Sequence, residues 1–303
     1  MEIRPQCRAC LERLVTLTVD LATRDPALKR QAREAAREII AREFNQSGAI
    51  PALIASRFHR TIQEISGNQD PFAPRKALET AYLARMHRRV APAYGADLES
   101  VLKLAAVGNA IDFFRAEDEV TRELLSRVEL AIADLPQFRR ALAGPQGLLL
   151  YLADNAGEQF FDLPLVTYLR QPRWRVLYVV KGGPIQNDLT RENLYASGLG
   201  AALEPVTDTG ARTVGLDLRD VSAGFRANFE AAQIILAKGM GHFETMSHLG
   251  DSRVFYLLQA KCAAVAGALG VDRGAFVFAR QNLPLDISGE DGYYNCTSQV
   301  PRG

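Results

Sequence analysis

The sequence predicts an α/β protein in which an N-terminal helical domain is followed by a three-layer α/β/α domain with a mainly parallel, Rossmann-like sheet. Residues 1–143 place apolar side chains at helical spacing and show no strand pattern. From Gly147 onward, short runs rich in Val, Ile and Leu alternate with segments of helix length. That alternation is typical of a parallel sheet with helices on both faces.

The whole-chain composition is that of a soluble globular protein. The chain has 303 residues, 48% of them hydrophobic and 23% charged, and its formal net charge is +1. This balance gives no electrostatic reason to expect nucleic acid or an anionic membrane as a partner. No apolar run reaches the roughly 20 residues that a membrane span needs, and the first residues carry no signal-peptide pattern. We therefore expect a cytoplasmic protein.

The helical half divides at clear stop and start signals. Asp25-Pro26 separates the first two helices, and residues 66–72 are dense in turn-forming residues. No strand is expected before the sheet domain. The predicted helices cover residues 11–22, 26–44, 51–65, 74–90, 97–111 and 117–135.

The second half carries the predicted sheet. The domain boundary is placed in a segment that contains Gly144-Pro145, which gives a helical domain of residues 1–143 and a sheet domain of residues 144–303. The boundary is a soft one, because the helical part could also pack directly on the sheet. The predicted strands cover residues 148–152, 175–180, 203–206 (weak), 233–237, 253–258 and 275–278.

Three of these strands end in polar clusters. The cluster after residues 148–152 is Asp-Asn-Ala-Gly-Glu at 154–158, and the one after 175–180 spans 181–190. The third follows 233–237 and spans 238–244. Since the carboxyl ends of parallel strands lie along one edge of a sheet, we expect the three clusters to converge on one crevice.

The residue types in these clusters indicate metal and phosphate chemistry. Asp154, Asn155 and Asp188 would supply the oxygen ligands that hard divalent ions prefer. Lys181 and Lys238 are each followed by glycine, so a cation and an approachable backbone N–H could meet a phosphate there. Each signal alone also has a structural explanation: an Asp-Asn pair often caps a helix, a Lys-Gly pair often marks a loop, and a histidine such as His242 is often simply packed. Their convergence at one edge favours the functional interpretation.

The sequence resembles the damage-control phosphatases, a family long catalogued as a domain of unknown function. The resemblance covers nearly the whole chain, and its N-terminal Cys-x-x-Cys resembles the prokaryotic branch. Seven motifs in the same order carry it. They lie at residues 7–10, at 67–72 with Lys76, and at 108–113, 154–158, 181–190, 238–244 and 261–262.

The resemblance implies a metal-dependent phosphatase that acts on small phosphorylated metabolites, such as sugar phosphates or damaged phospho-metabolites. It implies that Mn, Ni, Co or Mg is held by Asp154, Asn155 and Asp188, and that Lys238 binds the phosphate. The sequence departs from the family pattern at His242, where the family usually has Asn. The family's exact substrate preference is not carried over.

The leading hypothesis is therefore phosphoester hydrolysis at a divalent ion. We expect catalytic roles for Asp154, Asp188, Lys238 and Glu158. The general base is left open: Glu158 and Glu244 are the candidates, and a metal-bound water could also react without a strong base. Asn109 and Asp112 are expected to reach the substrate from the helical domain, although capping or interdomain hydrogen bonds would explain them equally well. The expected substrate- and phosphate-binding residues are Lys181, Gly182, Gly239, Gly241, His242, Glu244, Asn109 and Asp112.

Two rival functions stay open. One is a carboxyl methyltransferase using S-adenosylmethionine, a name that one branch of the family has carried, although the first strand lacks a G-x-G-x-x-G turn. The other is a metabolite-binding protein without catalytic activity. The oligomeric state is left open.

Cys7 and Cys10 pose a separate question. Their spacing fits half of a structural zinc site or a redox pair, and a zinc site would need two further ligands. The alternative is a pair of small apolar residues packed at a helix start.

Overall fold

The computed structural model describes residues 1–110, 128–171 and 174–281. The predicted fold class is confirmed: helices precede a seven-stranded, mostly parallel sheet in a mixed α/β arrangement. None of the described helices is long and apolar enough to cross a membrane.

The helices of the first half begin where the sequence supplies start signals. Proline occupies the first turn of α2, α3 and α4, where its missing N–H costs no hydrogen bond. The side chain of Asp25 caps α2 by accepting from the backbone N–H groups of Ala27 and Leu28. The helices of this half are α1 (Cys7–Ala22), α2 (Pro26–Glu43), α3 (Pro51–Ser66), α4 (Ala73–Val90) and α5 (Leu98–Ala110).

The second half alternates strands and helices. Its strands are β1 (Leu130–Ala133), β2 (Leu148–Leu152), β3 (Arg175–Val180), β4 (Val206–Asp208), β5 (Ile234–Lys238), β6 (Val254–Gln259) and β7 (Phe276–Arg280). Its helices are α6 (Leu135–Leu142), α7 (Gln159–Arg170), α8 (Arg191–Ala196), α9 (Gly200–Leu203), α10 (Ala223–Ala231), α11 (Gly239–Met246) and α12 (Ala263–Leu269).

The sheet has the strand order β1-β7-β6-β5-β2-β3-β4, and each pairing is parallel except that of β6 with β7. Strand β2 pairs with β3 on one side and with β5 on the other. The chain therefore changes direction across the sheet between β2 and β5. A crevice at the carboxyl ends of the strands beside such a switch point is the usual ligand site of an open α/β sheet.

Helices cover both faces of the sheet. Leu148, Leu150 and Leu152 point into one core, together with apolar residues of α1, α2, α3, α10, α11 and α12. Leu149 and Tyr151 point to the other face, which α5, α6 and α7 cover. The first three helices thus form part of one outer layer, as the soft boundary allowed, and the division at 143/144 stays a prediction.

Two predicted elements are wrong. Residues 130–133, predicted as the end of a helix spanning 117–135, form β1, which pairs with β7 at the edge of the sheet. The weak strand predicted at 203–206 is shifted, since Leu203 ends α9 and the strand begins at Val206. The first error arises because β1 has only four residues, two of them alanines with high helix propensity, and its side chains alternate between half-buried and exposed. Residues 117–127 of the predicted helix lie outside the described residues.

Candidate active site

The polar clusters after β2 and β3 meet through the backbone. Asn155 forms an isolated antiparallel bridge with Asp188. The N–H of Leu189 donates to the carbonyl of Asp154 at 2.8 Å, and the N–H of Ala156 donates to the carbonyl of Asn187 at 2.9 Å. These hydrogen bonds hold the segments that carry Asp154, Asn155 and Asp188 next to each other, as expected for segments that follow the neighbouring strands β2 and β3.

Two amides connect Asp154 with Glu158. The Asn109 Nδ2 group at the end of α5 donates to Asp154 Oδ2 at 2.9 Å and to Glu158 Oε1 at 3.0 Å. Asn155 Nδ2 donates to the same two oxygens at 2.9 and 2.7 Å. Because its NH₂ group is used in this way, the Asn155 carbonyl oxygen is left for another partner. The predicted proximity of Asn109 to the crevice is present in the structure.

A buried ion-pair network lies under Glu158. Lys238 Nζ, 0% exposed, donates to Glu158 Oε2 at 3.0 Å and to Asp162 Oδ1 at 2.6 Å. Asp162 also accepts the hydroxyls of Tyr151 and Tyr178 at 2.7 and 2.8 Å. The sequence analysis missed these last three residues, although an acid in the apolar start of α7 and two tyrosines in buried strands each require a polar partner. The ammonium of Lys238 is therefore held by two carboxylates, which leaves its predicted phosphate contact without support from the geometry.

Lys181 and His242 form a second buried pair. Lys181 Nζ donates to the carbonyl of Gly215 and lies 3.2 Å from His242 Nε2. His242 Nδ1 lies 2.6 Å from the carbonyl of Lys238. The carbonyl can only accept, so Nδ1 carries the proton and Nε2 accepts from Lys181. Burial and the charge of Lys181 hold the pKa of His242 well below its usual range, which agrees with a neutral ring.

The carboxylates of the site are crowded. Burial, Glu158 and Asp188 raise the pKa of Asp154 well above its usual range. Burial raises the pKa of Asp188 to about 6, although Lys181 and Lys76 oppose the shift. Burial would also raise the pKa of Glu158, but Lys238 and Lys261 outweigh it and hold that pKa below its usual range.

The donor set fits a divalent cation. Asp188 Oδ2 is buried without a hydrogen-bond partner among the described residues, and Lys181 Nζ lies 3.5 Å away. Four buried carboxyl groups of this cluster face two buried lysines, Lys181 and Lys238, and the raised pKa of Asp154 and of Asp188 is that of carboxyl groups that lack enough positive charge beside them. The four carboxylates belong to Asp154, Glu158, Asp162 and Asp188.

No three His, Cys, Asp or Glu side chains are arranged as a metal-binding group in the described part of the chain. A metal at this site would therefore use two carboxylates and the Asn155 amide oxygen, with its remaining ligands from elsewhere.

At each of the three predicted glycines, Gly182, Gly239 and Gly241, another part of the chain comes so close to the backbone that a side chain would collide with it. Gly239 has φ +79°, and an added Cβ there would come within 1.9 Å of Asp154 Oδ2. An added Cβ on Gly182 would meet the backbone of residues 210–211, and the Gly182 N–H donates to the carbonyl of Ala211 at 3.0 Å. Gly241 packs against Val214 and Gly215. Only Gly239 of the three contacts the carboxylate cluster directly.

Glu244, another predicted site residue, is not brought into the cluster. Glu244 Oε2 accepts from the backbone N–H of Ala52 at 3.1 Å, and burial raises the pKa of Glu244 to about 7. The Glu244 carboxylate therefore contacts the start of α3 and does not contact Asp154. Asp112, which was also predicted to reach the substrate, lies outside the described residues.

Lys76 is a buried cation to which the sequence analysis gave no role. It is 1% exposed, pairs with Asp70 Oδ2 at 2.6 Å and donates to Asn193 Oδ1 at 2.9 Å. Asn193 also accepts from Thr190, the N-cap residue of α8. Lys76 thereby ties α4 to the segment that carries Asp188.

Within the described residues, the cysteines do not support the predicted structural zinc site at Cys7 and Cys10. Cys7 is buried, Cys10 is exposed and Cys262 is intermediate, and all three are free thiols. No group of three metal-ligating side chains forms around them in residues 1–110, 128–171 and 174–281. Cys296 lies outside that part of the chain.

Known proteins resemble this chain along most of its length. Residues 3–277 match the "Damage-control phosphatase ARMT1-like domain" family. "Damage-control phosphatase PH1575" of Pyrococcus horikoshii is 36% identical over 290 residues, which cover 94% of this chain and 100% of that protein. A "Damage-control phosphatase" of Archaeoglobus fulgidus is 30% identical over 288 residues, 91% of this chain and 98% of that protein.

A solved structure resembles it in fold as well. The 2.04 Å crystal structure of PH1575, described as a DUF89 family protein, superposes with a TM-score of 0.84 at 35% identity. The match covers 93% of this chain and 100% of the crystallised chain.

Proposed function

The chain belongs to the damage-control phosphatase ARMT1-like family, and we propose that it is a metal-dependent phosphatase that hydrolyses phosphate monoesters of small metabolites. Its relatives named damage-control phosphatase support a phosphatase role in metabolite repair. The observation that carries the proposal is the buried Asp188 Oδ2, which has no hydrogen bond among the described residues and lies beside Asp154 and Asn155 in a cluster of four buried carboxyl groups. A divalent cation and a phosphate are the ligands that this chemistry favours.

Asp154, Asn155 and Asp188 would hold the metal, which supplies Lewis-acid polarisation of the phosphate when it is bound. Its identity among Mn, Ni, Co and Mg is open, since oxygen ligands suit several hard divalent ions. The carbonyl oxygen of Asn155 is oriented for this role because the Asn155 amide nitrogen is fixed by Asp154 and Glu158.

Glu158 is the best placed acid or base beside the ligand residues. Its Oε2 is held by Lys238, while its Oε1 accepts from Asn109 and Asn155. These three donors favour the ionised form of the carboxylate and fix its orientation. A carboxylate held in this way can accept a proton from a water that approaches the phosphorus atom.

The proposal is tested by hydrolysis of p-nitrophenyl phosphate with each divalent ion in turn, followed by a panel of phosphorylated metabolites. We expect turnover that needs a divalent ion, and a loss of at least about 100-fold in kcat/KM for Asp154→Ala and Asp188→Ala. Asp20→Asn is the control, because Asp20 pairs with Lys29 and Arg33 on the exposed surface of the helical half. Wild-type rates in both active-site variants would refute the assignment.

The same screen separates the two rival functions. Binding of S-adenosylmethionine without any metal effect, measured by calorimetry, would favour the methyltransferase. Tight binding of a sugar phosphate without turnover in any divalent ion would favour a binding protein.

A further inference from the structure

Arg212 lies in the loop between β4 and α10, at the same edge of the sheet as the carboxylate cluster. Strand β4 pairs with β3 in parallel, so this loop runs beside the segment that follows β3 and begins at Lys181. The N–H of Gly182 donates to the carbonyl of Ala211 at 3.0 Å. An added Cβ on Gly183 would come within 2.9 Å of Arg212 Cγ. The half-buried side chain of Arg212 therefore lies against the turn that continues from Lys181.

Two neutral amides orient the guanidinium of Arg212. Arg212 Nη1 donates to Gln63 Oε1 and to Gln69 Oε1, each at 3.4 Å. Gln63 is buried, and its own Nε2 donates to the carbonyls of Gln69 and Pro184 at 3.0 and 3.1 Å. The Oε1 atom of Gln63 is thereby fixed towards the guanidinium. Both hydrogen bonds leave from Nη1, so Arg212 Nε and Nη2 donate to none of the described residues.

The charge of Arg212 is not paired with a carboxylate in residues 1–110, 128–171 and 174–281. Two other arginines of this region are paired, Arg60 with Asp220 at 3.0 Å and Arg191 with Asp208 at 3.5 Å. An arginine that contacts only neutral acceptors keeps its charge for a ligand. Its free edge, Nε with Nη2, matches the two oxygens that a carboxylate or a phosphate presents.

The backbone that carries Arg212 is fixed on α3. Arg60 Nη1 donates to the carbonyl of Arg212 at 3.3 Å, and the N–H of Val214 donates to Ser56 Oγ at 2.9 Å. Ser56 is itself buried. Because the loop is already ordered, a ligand that binds the guanidinium does not have to order the loop at a cost in free energy.

The distance between Arg212 and the carboxylates limits the size of a ligand that reaches both. Lys181 Nζ lies 3.5 Å from Asp188 Oδ2, and Gly183 is two residues further along the turn. Two residues of extended chain span at most about 7 Å. A phosphate monoester bound at Asp188 and extended along this turn would bring a second group to Arg212 if it has the size of a small sugar or a small acid.

We propose that Arg212 binds a second anionic group of the substrate, a carboxylate or a second phosphate, and thereby selects phosphate monoesters that carry one. The inference rests on the proposed phosphatase function. A neutral sugar phosphate leaves the free edge of the guanidinium without a ligand, whereas a phosphorylated acid or a bisphosphate is held at both ends. The preferred substrates are therefore small phosphorylated acids or bisphosphates.

Matched pairs of substrates test this preference. Phosphoglycerate and glycerol phosphate differ by a carboxylate, and fructose bisphosphate and fructose monophosphate differ by a phosphate. A charge-assisted hydrogen bond corresponds to a factor of about 10 to 100 in affinity. In the wild type we expect kcat/KM to be higher by about that factor for the member with the second anion, in at least one pair. The pair with the larger ratio identifies the anion that Arg212 binds.

Variants of Arg212 should change the preference without changing the fold. Arg212→Gln should abolish most of it by raising KM for the member with the second anion. Its thermal midpoint should stay at the wild-type value, because the side chain makes only two long hydrogen bonds to neutral amides. Arg212→Lys should keep part of the preference, since an ammonium retains the charge but cannot form the bidentate contact.

Arg219→Gln is the matched control. Arg219 belongs to the same connection between β4 and α10, but it is mostly exposed and pairs with Asp217 at 2.8 Å. Its variant should keep the wild-type preference in both pairs. Equal turnover of the two members of each pair by the wild type, or a preference that is unchanged in Arg212→Gln or equally lost in Arg219→Gln, would overturn the inference and keep the phosphatase.

Calorimetric titration with the same pairs separates failure of the inference from failure of the function. If no phosphate ester is turned over with any divalent ion, the proposed phosphatase is refuted. Tighter binding of the member with the second anion, lost in Arg212→Gln, would then still support the anion site at Arg212. Equal binding of the two members, or no binding of either, would overturn the inference as well.

Discussion

His59 is a buried titratable side chain of α3 whose surroundings keep it neutral. It is 1% exposed, and its ring lies 4.9 Å from that of Phe58 and 5.8 Å from that of Phe72. His59 Nε2 has no hydrogen-bond partner among the described residues. Burial lowers the pKa of His59 to about 3, so the folded protein does not take up a proton that the unfolded chain binds at mildly acidic pH.

This residue should make the fold sensitive to acid. Above the unfolded pKa of about 6.5, the histidine is neutral in both states and the buried His59 ring costs no stability. As the pH falls from there towards 3, the unfolded chain binds a proton that the folded protein does not, so the free energy of unfolding decreases. Between pH 7 and pH 5 this decrease should be about 2 kcal/mol. Urea unfolding at both pH values should show a smaller pH dependence in His59→Phe than in the wild type.

His248→Gln is the matched control, because His248 is exposed and its removal should change the pH dependence less. An identical loss of stability on acidification in the wild type and His59→Phe would contradict this account.

The sequence predicted which residues meet at the site better than it predicted their partners. The positions of Asp154, Asn155 and Asp188 follow from strand ends in a parallel sheet, which the apolar pattern identifies. The engagement of Lys238 with Asp162 depends on how α7 packs against the sheet, and the pattern contains no information on that packing.

At the scale of elements, buried strands were predictable and edge strands were not. The predicted bounds of β2 and β3 agree with the structure because each is a continuous apolar run buried on both faces. Strand β1 has four residues, Leu-Ala-Ile-Ala, and two of them are alanines, the strongest helix former. Its extended conformation comes from pairing with β7, which lies more than 140 residues later in the chain.

Helix α11 depends on a glycine at its start. Gly239 combines a positive φ of +79° with the close approach to Asp154 Oδ2. An alanine there would strain the backbone and displace either the start of α11 or the Asp154 carboxylate. We expect Gly239→Ala to lower metal-dependent kcat by at least about 100-fold, because a displacement of about 1 Å can have that effect.

Gly198→Ala isolates the backbone strain from the contact. Gly198 has φ +82°, and an added Cβ would meet nothing within 4 Å. Its alanine variant should lose stability of roughly 1 kcal/mol and keep its activity. Equal activities in the two variants, measured at equal folded fractions, would show that the contact with Asp154 has no catalytic importance.

At the scale of the whole molecule, the carboxylates lie where both helical layers and the sheet meet. Asn109 comes from α5 on one face, and Gly239 starts α11, whose Phe243 and Met246 belong to the core of the other face. Asp154 and Asp188 come from the sheet edge between them. Charge repulsion at this junction therefore acts on elements from all three layers.

A divalent ion should consequently stabilise the fold as well as support activity. Burial and the neighbouring carboxyl groups disfavour the ionised forms of Asp154 and Asp188 in the metal-free protein, and an ion that binds only the folded state adds about 2.7 kcal/mol at a hundredfold excess over its Kd. We expect the thermal midpoint of the wild type to rise with Mn, Ni, Co or Mg and to return on chelation. Asp188→Asn should lose this response, and without metal it should be at least as stable as the wild type, because it removes one of the repelling charges. Asp20→Asn should keep the full response, since Asp20 lies on the exposed surface of the helical half. A metal response that survives in Asp188→Asn would place the ion elsewhere in the protein.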